Sequence, residues 1–183
     1  MHGNTSARNS IYLLLLLAVS CLIAGGVAVV AEQEDEDGDL PMLPVTAVSG
    51  DHAGDKFCFC CQDADKTYAV VTIRKYNDMV MDFAKQMDEL VAQHDDLGVL
   101  VVLLEDRAEI ELKVKRGIDR SEIEHVTFGF PWREDGPDVL EGWPVAKDKQ
   151  SNVFLVEDHK IAKSFTAGCP HCDGVAAKIG KAL

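Results

Sequence analysis

Six residues near the middle of the chain, Val99-Leu100-Val101-Val102-Leu103-Leu104, are apolar without interruption. A strand of that composition offers no face to water, so it belongs inside a sheet covered on both sides, where parallel strands sit. A parallel neighbour requires a crossover, and the flanking sequence supplies one on each side. Upstream, Tyr68-Ala-Val-Val-Thr-Ile-Arg74 is a β-branched run of strand length. Between the two strands, Met79, Val80, Phe83, Met87, Leu90 and Val91 recur at helical spacing. Asp82, Lys85, Gln86, Asp88 and Glu89 take the opposite face, and Asn77 or Asp78 is placed to cap the helix. Downstream, residues 108–115 read as a second helix ended at Gly117, and residues 123–130 as a strand stopped by Pro131. Residues 131–150 read as a long loop. Val153-Phe-Leu-Val156 and Lys160-Ile-Ala-Lys-Ser-Phe165 form a hairpin around Asp158-His159, and Val175, Ala176, Ile179 and Leu183 mark one face of a terminal helix. The order β-α-β-α-β, then a β-hairpin, then α, predicts an α/β domain with a mixed central sheet and helices on both faces.

That domain is expected over residues 45–183. Ahead of it, Arg8 is the only charged residue among the first 31, and residues 11–31 are almost wholly apolar. A short positive segment, an apolar stretch and Val29-Val30-Ala31 before Glu32 describe a secretory signal. The same 21 residues are long enough to remain as a membrane anchor, which needs about 20. Cys21 follows Ala18-Val19-Ser20, a poor lipidation box. Each reading exports the rest of the chain, as a periplasmic or secreted protein, with membrane contact only through this segment. Residues 32–44 read as a linker. Six of the eight residues from 32 to 39 are acidic, and Pro41 and Pro44 follow. Such a run repels itself and stays solvated, and a calcium site there is far less expected than a spacer. With 31 acidic residues against 18 basic ones, a net charge of −13 and no Lys/Arg run, nucleic acid is excluded as a partner.

The stretch Val48-Ser-Gly50, then Lys56-Phe-Cys58-Phe-Cys60-Cys61, then Thr67-Tyr-Ala-Val-Val-Thr-Ile73, resembles the start of thioredoxin-like and thiol-peroxidase-like domains. In these, a short hairpin precedes the first core strand. The chain is similar in particular to exported bacterial thioredoxin-like proteins with a Cys-rich segment before that strand, and the element order agrees. The resemblance implies a thioredoxin-like three-layer sandwich. It also shows departures. Catalytic thioredoxins carry Cys-x-x-Cys after the first core strand, where this chain has Arg74-Lys75-Tyr76-Asn77-Asp78. Where the family places a cis-proline, the chain has Gln150-Ser151-Asn152, and the nearest proline is Pro144. Peroxidase chemistry is disfavoured because it needs a cysteine in the first of these places. The fold alone does not carry the activity.

Besides Cys21, the cysteines are Cys58, Cys60 and Cys61, and Cys169 and Cys172. Five is odd, so one stays unpaired, pairs between molecules or binds something. In an oxidising compartment structural disulfides are the simplest reading. Cys169-Pro170-His171-Cys172 follows a predicted strand and opens a predicted helix. Helix-end amides favour a thiolate at Cys169, and His171 as imidazolium adds to that. The tetrapeptide resembles one in disulfide-oxidising members of the thioredoxin superfamily, there located after the first core strand. In this fold the loop after the last strand lies beside the usual active-site groove. Cys169 is then the attacking thiol, Cys172 the resolving thiol, and protein thiols or disulfides the partners, with no cofactor. The alternative is a non-catalytic module whose cysteines are structural or bind metal. Cys58 and Cys61 with Cys169 and Cys172 spell a four-thiolate zinc pattern across a gap of 108 residues. Residues 168–179 locally resemble a copper-chaperone turn. The expected fold puts the two cysteine clusters at opposite poles, which favours separate sites.

Other candidates are weaker. His52, His94, His125 and His159 show no ligand or triad spacing and read as surface residues. Asp135, Asp138 and Glu141 read as solvated loop charges. Trp132 and Trp143 read as packing residues before a ligand platform.

Overall fold

The computed structural model describes residues 40–61, 66–132, 140–168 and 174–183. The expected export segment, the acidic run through residue 39 and the loop charges Asp135 and Asp138 lie outside the described residues, as do Cys169, His171 and Cys172. The described chain forms β1 (Pro44–Ala47), β2 (Lys56–Cys58), a 3₁₀ turn (Phe59–Cys61), β3 (Thr67–Ile73) and α1 (Asp78–Val91). There follow β4 (Leu97–Leu103), α2 (Arg107–Ser121), β5 (Val126–Pro131), β6 (Ser151–Glu157), β7 (Lys160–Ala167) and α3 (Val175–Gly180).

One mixed sheet of seven strands runs in the order β2-β1-β5-β4-β3-β6-β7. The unbroken apolar run is its centre: β4 pairs in parallel with β3 (Val101 opposite Val71) and with β5 (Val101 opposite Phe128). Successive crossovers β3-α1-β4 and β4-α2-β5 step across the sheet in the same direction. Right-handed crossovers that keep direction put their helices on the same face. Phe83 and Met87 of α1, Ile110 and Val114 of α2, and Val175 and Ile179 of α3 accordingly share one core with Val71, Val101 and Leu155. The opposite face buries Tyr68, Val70, Leu100, Val102, Phe154 and Val156. It is covered by Leu43, by Phe59 of the 3₁₀ turn and by Trp143. The mixed sheet and its helices are as expected. Among the described residues, the second cover is irregular chain and a 3₁₀ turn in place of an α-helical layer.

Several boundaries move for physical reasons. The second helix does not stop at Gly117 but runs on to Ser121 and ends at Glu122, which takes the left-handed conformation (φ 53°). Gly117 is a contact residue: a Cβ there would lie 2.5 Å from the Tyr76 hydroxyl and 2.9 Å from the Met81 sulfur. Gly98 lies inside β4, where the Tyr68 ring occupies the place of a side chain. Ile123 belongs to the end of α2, where its amide bonds to the Ile118 carbonyl at 3.3 Å, so β5 begins at Val126. The hairpin β6–β7 turns through Asp158 (φ 48°) and His159 (φ 58°), two left-handed residues in succession as a tight hairpin turn requires. Residues 140–150 form neither helix nor strand.

Candidate functional site

The C-terminal ends of β3 and β4 define one pole of the sheet. Ile73 lies opposite Leu103 and Ser151, and Ser151 lies opposite Ala167. The last residues of β3, β4 and β7 and the first of β6 therefore meet at this pole. Gly168 leads from it toward Cys169. Cys61 and Lys66 precede Thr67 at the other end of β3. Six steps of strand separate Thr67 from Ile73, about 20 Å at 3.3 Å per residue.

At the pole, the segment Arg74-Lys75-Tyr76-Asn77-Asp78 takes the place of a catalytic cysteine pair and is held in several ways. The Arg74 amide donates to the Gln150 carbonyl at 2.9 Å, and its Nε to the Lys149 carbonyl at 3.0 Å. Gln150 Nε2 donates to the Lys75 carbonyl at 2.5 Å. The Tyr76 amide donates to the Glu105 carboxylate, tying the β3–α1 turn to the β4–α2 turn. The Tyr76 phenol is pushed above its ordinary value, first by burial and then by Asp78, with Arg120 opposing. It stays protonated at neutral pH. Residues 74–78 include no cysteine, and the Glu105 carboxylate sits at the Tyr76 amide.

Beside the corner opens a cavity of about 610 Å³, lined by Arg74, Leu104, Leu140, Glu141, Gly142, Trp143, Val145 and Lys147. Strand parity explains where it lies. Arg74 and Leu104 continue the alternation of Val70-Thr72 and Leu100-Val102, so they emerge on the face opposite α1, α2 and α3. Asn152 pins the wall of the cavity. It is buried on β6, its Oδ1 accepts from the Ala146 amide at 2.8 Å, and its Nδ2 reaches Thr72 Oγ1 at 3.2 Å. Trp143 is a packing residue as expected: it meets Phe154 edge-on at 5.2 Å, and its Nε1 donates to the Pro41 carbonyl at 3.1 Å. Trp132 differs. It is 39% exposed, with Lys56 Nζ 4.5 Å from its ring centroid.

Of the proposed site residues, only Cys58 and Cys61 lie in the described chain, and they form a disulfide with Cα atoms 5.3 Å apart. In this state the pair has no thiolate to give a metal. Among the described residues, no three His, Cys, Asp or Glu side chains are grouped to hold a metal ion. The helix expected to begin at the second cysteine pair starts at Val175, after the left-handed Gly174, and has six residues.

No protein-family model and no curated protein matches the sequence. Solved structures do. A peroxiredoxin-like protein from Aquifex aeolicus superposes with a TM-score of 0.57 at 17% identity, covering 84% of this chain and 91% of that one. A PrxQ mutant from Xylella fastidiosa gives 0.60 at 14% identity, over 82% of this chain and 96% of that one. A secreted disulfide oxidoreductase of Mycobacterium tuberculosis, described as homologous to E. coli DsbE, gives 0.55 at 10%, over 78% and 96%. The chain thus has the thioredoxin-like α/β fold. At these identities the likeness is one of architecture.

Proposed function

We propose that this is an exported thioredoxin-like protein that exchanges disulfides with other polypeptides through Cys169 and Cys172. The observation that carries the reading is the end of β7. Ala167 lies opposite Ser151, and Ser151 opposite Ile73, so the chain enters Cys169 from the pole where the vacated corner and the cavity lie. The Cys169 thiolate attacks a partner disulfide, one partner sulfur leaves as thiolate, and a mixed disulfide forms. Cys172 then attacks Cys169 Sγ and releases the second partner thiol. The protein pair is oxidised by two electrons and the partner reduced by two. His171, as imidazolium, favours the thiolate. Replacing Cys169 with Ser is expected to abolish insulin reduction by the purified protein, and Cys172→Ser to accumulate the mixed disulfide. Wild-type activity in Cys169→Ser ends the proposal. A potential between about −120 and −270 mV accords with exchange, and one below about −300 mV with a structural bond.

Export rests on residues 1–31. Among the described residues no helix is long and apolar enough to cross a membrane. N-terminal sequencing of the exported protein is expected to begin at Glu32, and a retained Met1 would establish the tethered form. The second reading, a non-catalytic binding module, is favoured by one observation: the segment Arg74–Asp78 includes no cysteine and is tied down by the Tyr76–Glu105 bond.

A further inference from the structure

The Cys58–Cys61 disulfide joins the end of the sheet's edge strand β2 to the 3₁₀ turn that follows it. Cys58 is the last residue of β2, which among the described residues pairs in the sheet with β1 alone. Cys61 closes the 3₁₀ turn and is exposed, while Cys58 is half-buried. The turn has a support that does not depend on the sulfur–sulfur bond. Phe59 is buried between the two cysteines and meets Tyr68 edge-on at 5.0 Å, and Phe57 lies 6.0 Å from Phe59 with His52 stacked on it at 4.4 Å. Gly98 makes room for this cluster: a Cβ there would lie 2.6 Å from the Tyr68 ring. A bond spanning three positions restricts the unfolded chain little, so it is a poor staple. Because Phe59 holds the turn, two reduced thiols would stay close enough to close again.

We propose that Cys58 and Cys61 form a second disulfide-exchange site, one that oxidises an extended polypeptide carrying two thiols, which pairs along β2. This site stands independently of the Cys169–Cys172 reading. Exposure selects Cys61 as the sulfur attacked. A partner thiolate bonds to Cys61 Sγ, the bond to Cys58 breaks, and Cys58 leaves as thiolate. The partner's second thiolate then attacks its own sulfur in the mixed disulfide and releases Cys61. The partner gains a disulfide and loses two electrons. Cys58 and Cys61 take up those electrons and the two protons the partner's thiols give up. β2 supplies backbone groups for an added strand next to the reacting sulfur.

The test uses the full chain with Cys169→Ser and Cys172→Ser, so that the first site is silent. The folded protein is incubated with millimolar reduced glutathione, quenched in acid, alkylated and mapped by peptide. At least about half of the Cys58–Cys61 pair is expected to be reduced while Trp143 fluorescence stays native. Glutathione should be found at least tenfold more often on Cys61 than on Cys58. A reduced dithiol peptide should be oxidised one for one. A pair that opens only after denaturation, adducts mainly on Cys58, or glutathione reduction without peptide oxidation would overturn the proposal.

Discussion

Asp88 illustrates what a helical pattern conceals about a single residue. It falls on the polar face of α1, and its Oδ1 accepts from three successive amides: Glu124 at 3.1 Å, His125 at 2.6 Å and Val126 at 3.2 Å. One carboxylate therefore fixes the start of β5 against the helix. Asp88→Ala is expected to cost about 2 kcal/mol in urea unfolding, because charged acceptors of this kind are worth more than neutral ones. Asn152→Ala should cost a similar amount, about 1–3 kcal/mol, and release residues 140–147 to faster hydrogen exchange. Glu111 makes a pH prediction. Bonds from Arg107 (2.5 Å) and Lys115 (2.7 Å) lower its carboxyl from 4.5 to about 2. A lowered pKa gives stability that is complete above the unfolded value and is lost as pH falls from about 4.5 toward 2. The pair is at the surface, so the contribution is about 1 kcal/mol or less. Glu111→Gln should remove that part of the acid dependence in melts between pH 5 and 2. The partners of Asp88 and Asn152 are not readable from periodicity, which tells which face a residue takes and not what it meets across the fold.

At the level of elements, the alternation of strand and helix was legible because burial dictates it. The fully apolar run is the central strand, and the alternating runs beside it are its neighbours. Glycine misled in one place. In a linear chain Gly117 looks like a terminator, yet it is a point where the Tyr76 hydroxyl and the Met81 side chain take the space of a Cβ. Gly117→Ala is expected to destabilise the domain while leaving α2 helical. The same insertion at the exposed Gly54, where nothing lies within 4 Å, should meet no steric conflict, though its φ of 94° adds backbone strain. The Cys58–Cys61 bond closes so short a loop that chain entropy assigns it about 2 kcal/mol. Cys58→Ser with Cys61→Ser should therefore lower stability by that amount or less and leave the sheet intact by circular dichroism. The pairing itself was open in the sequence, since three cysteines crowd into four positions.

Over the whole molecule, the sequence order was enough for the fold but not for the second cover of the sheet. Crossover direction decides which face receives the helices, and direction depends on strand order in space, which no local pattern encodes. The candidate site was legible in part. The missing cysteine at Arg74–Asp78 and the presence of a pair near the C-terminus can be read directly, whereas the cavity between Arg74 and Trp143 arises from residues some 70 positions apart. The net charge of −13 should keep the protein soluble and set it against anionic surfaces.

The Leu40 amide bonds to the His159 carbonyl at 3.2 Å, at the tip of the last hairpin. That tip is the far end of the sheet from Gly168, since Val156 lies opposite Tyr68. Whatever precedes Leu40 joins the domain there. The chain therefore enters the domain at the opposite end of the sheet from Arg74 and from Ala167, where the last strand ends.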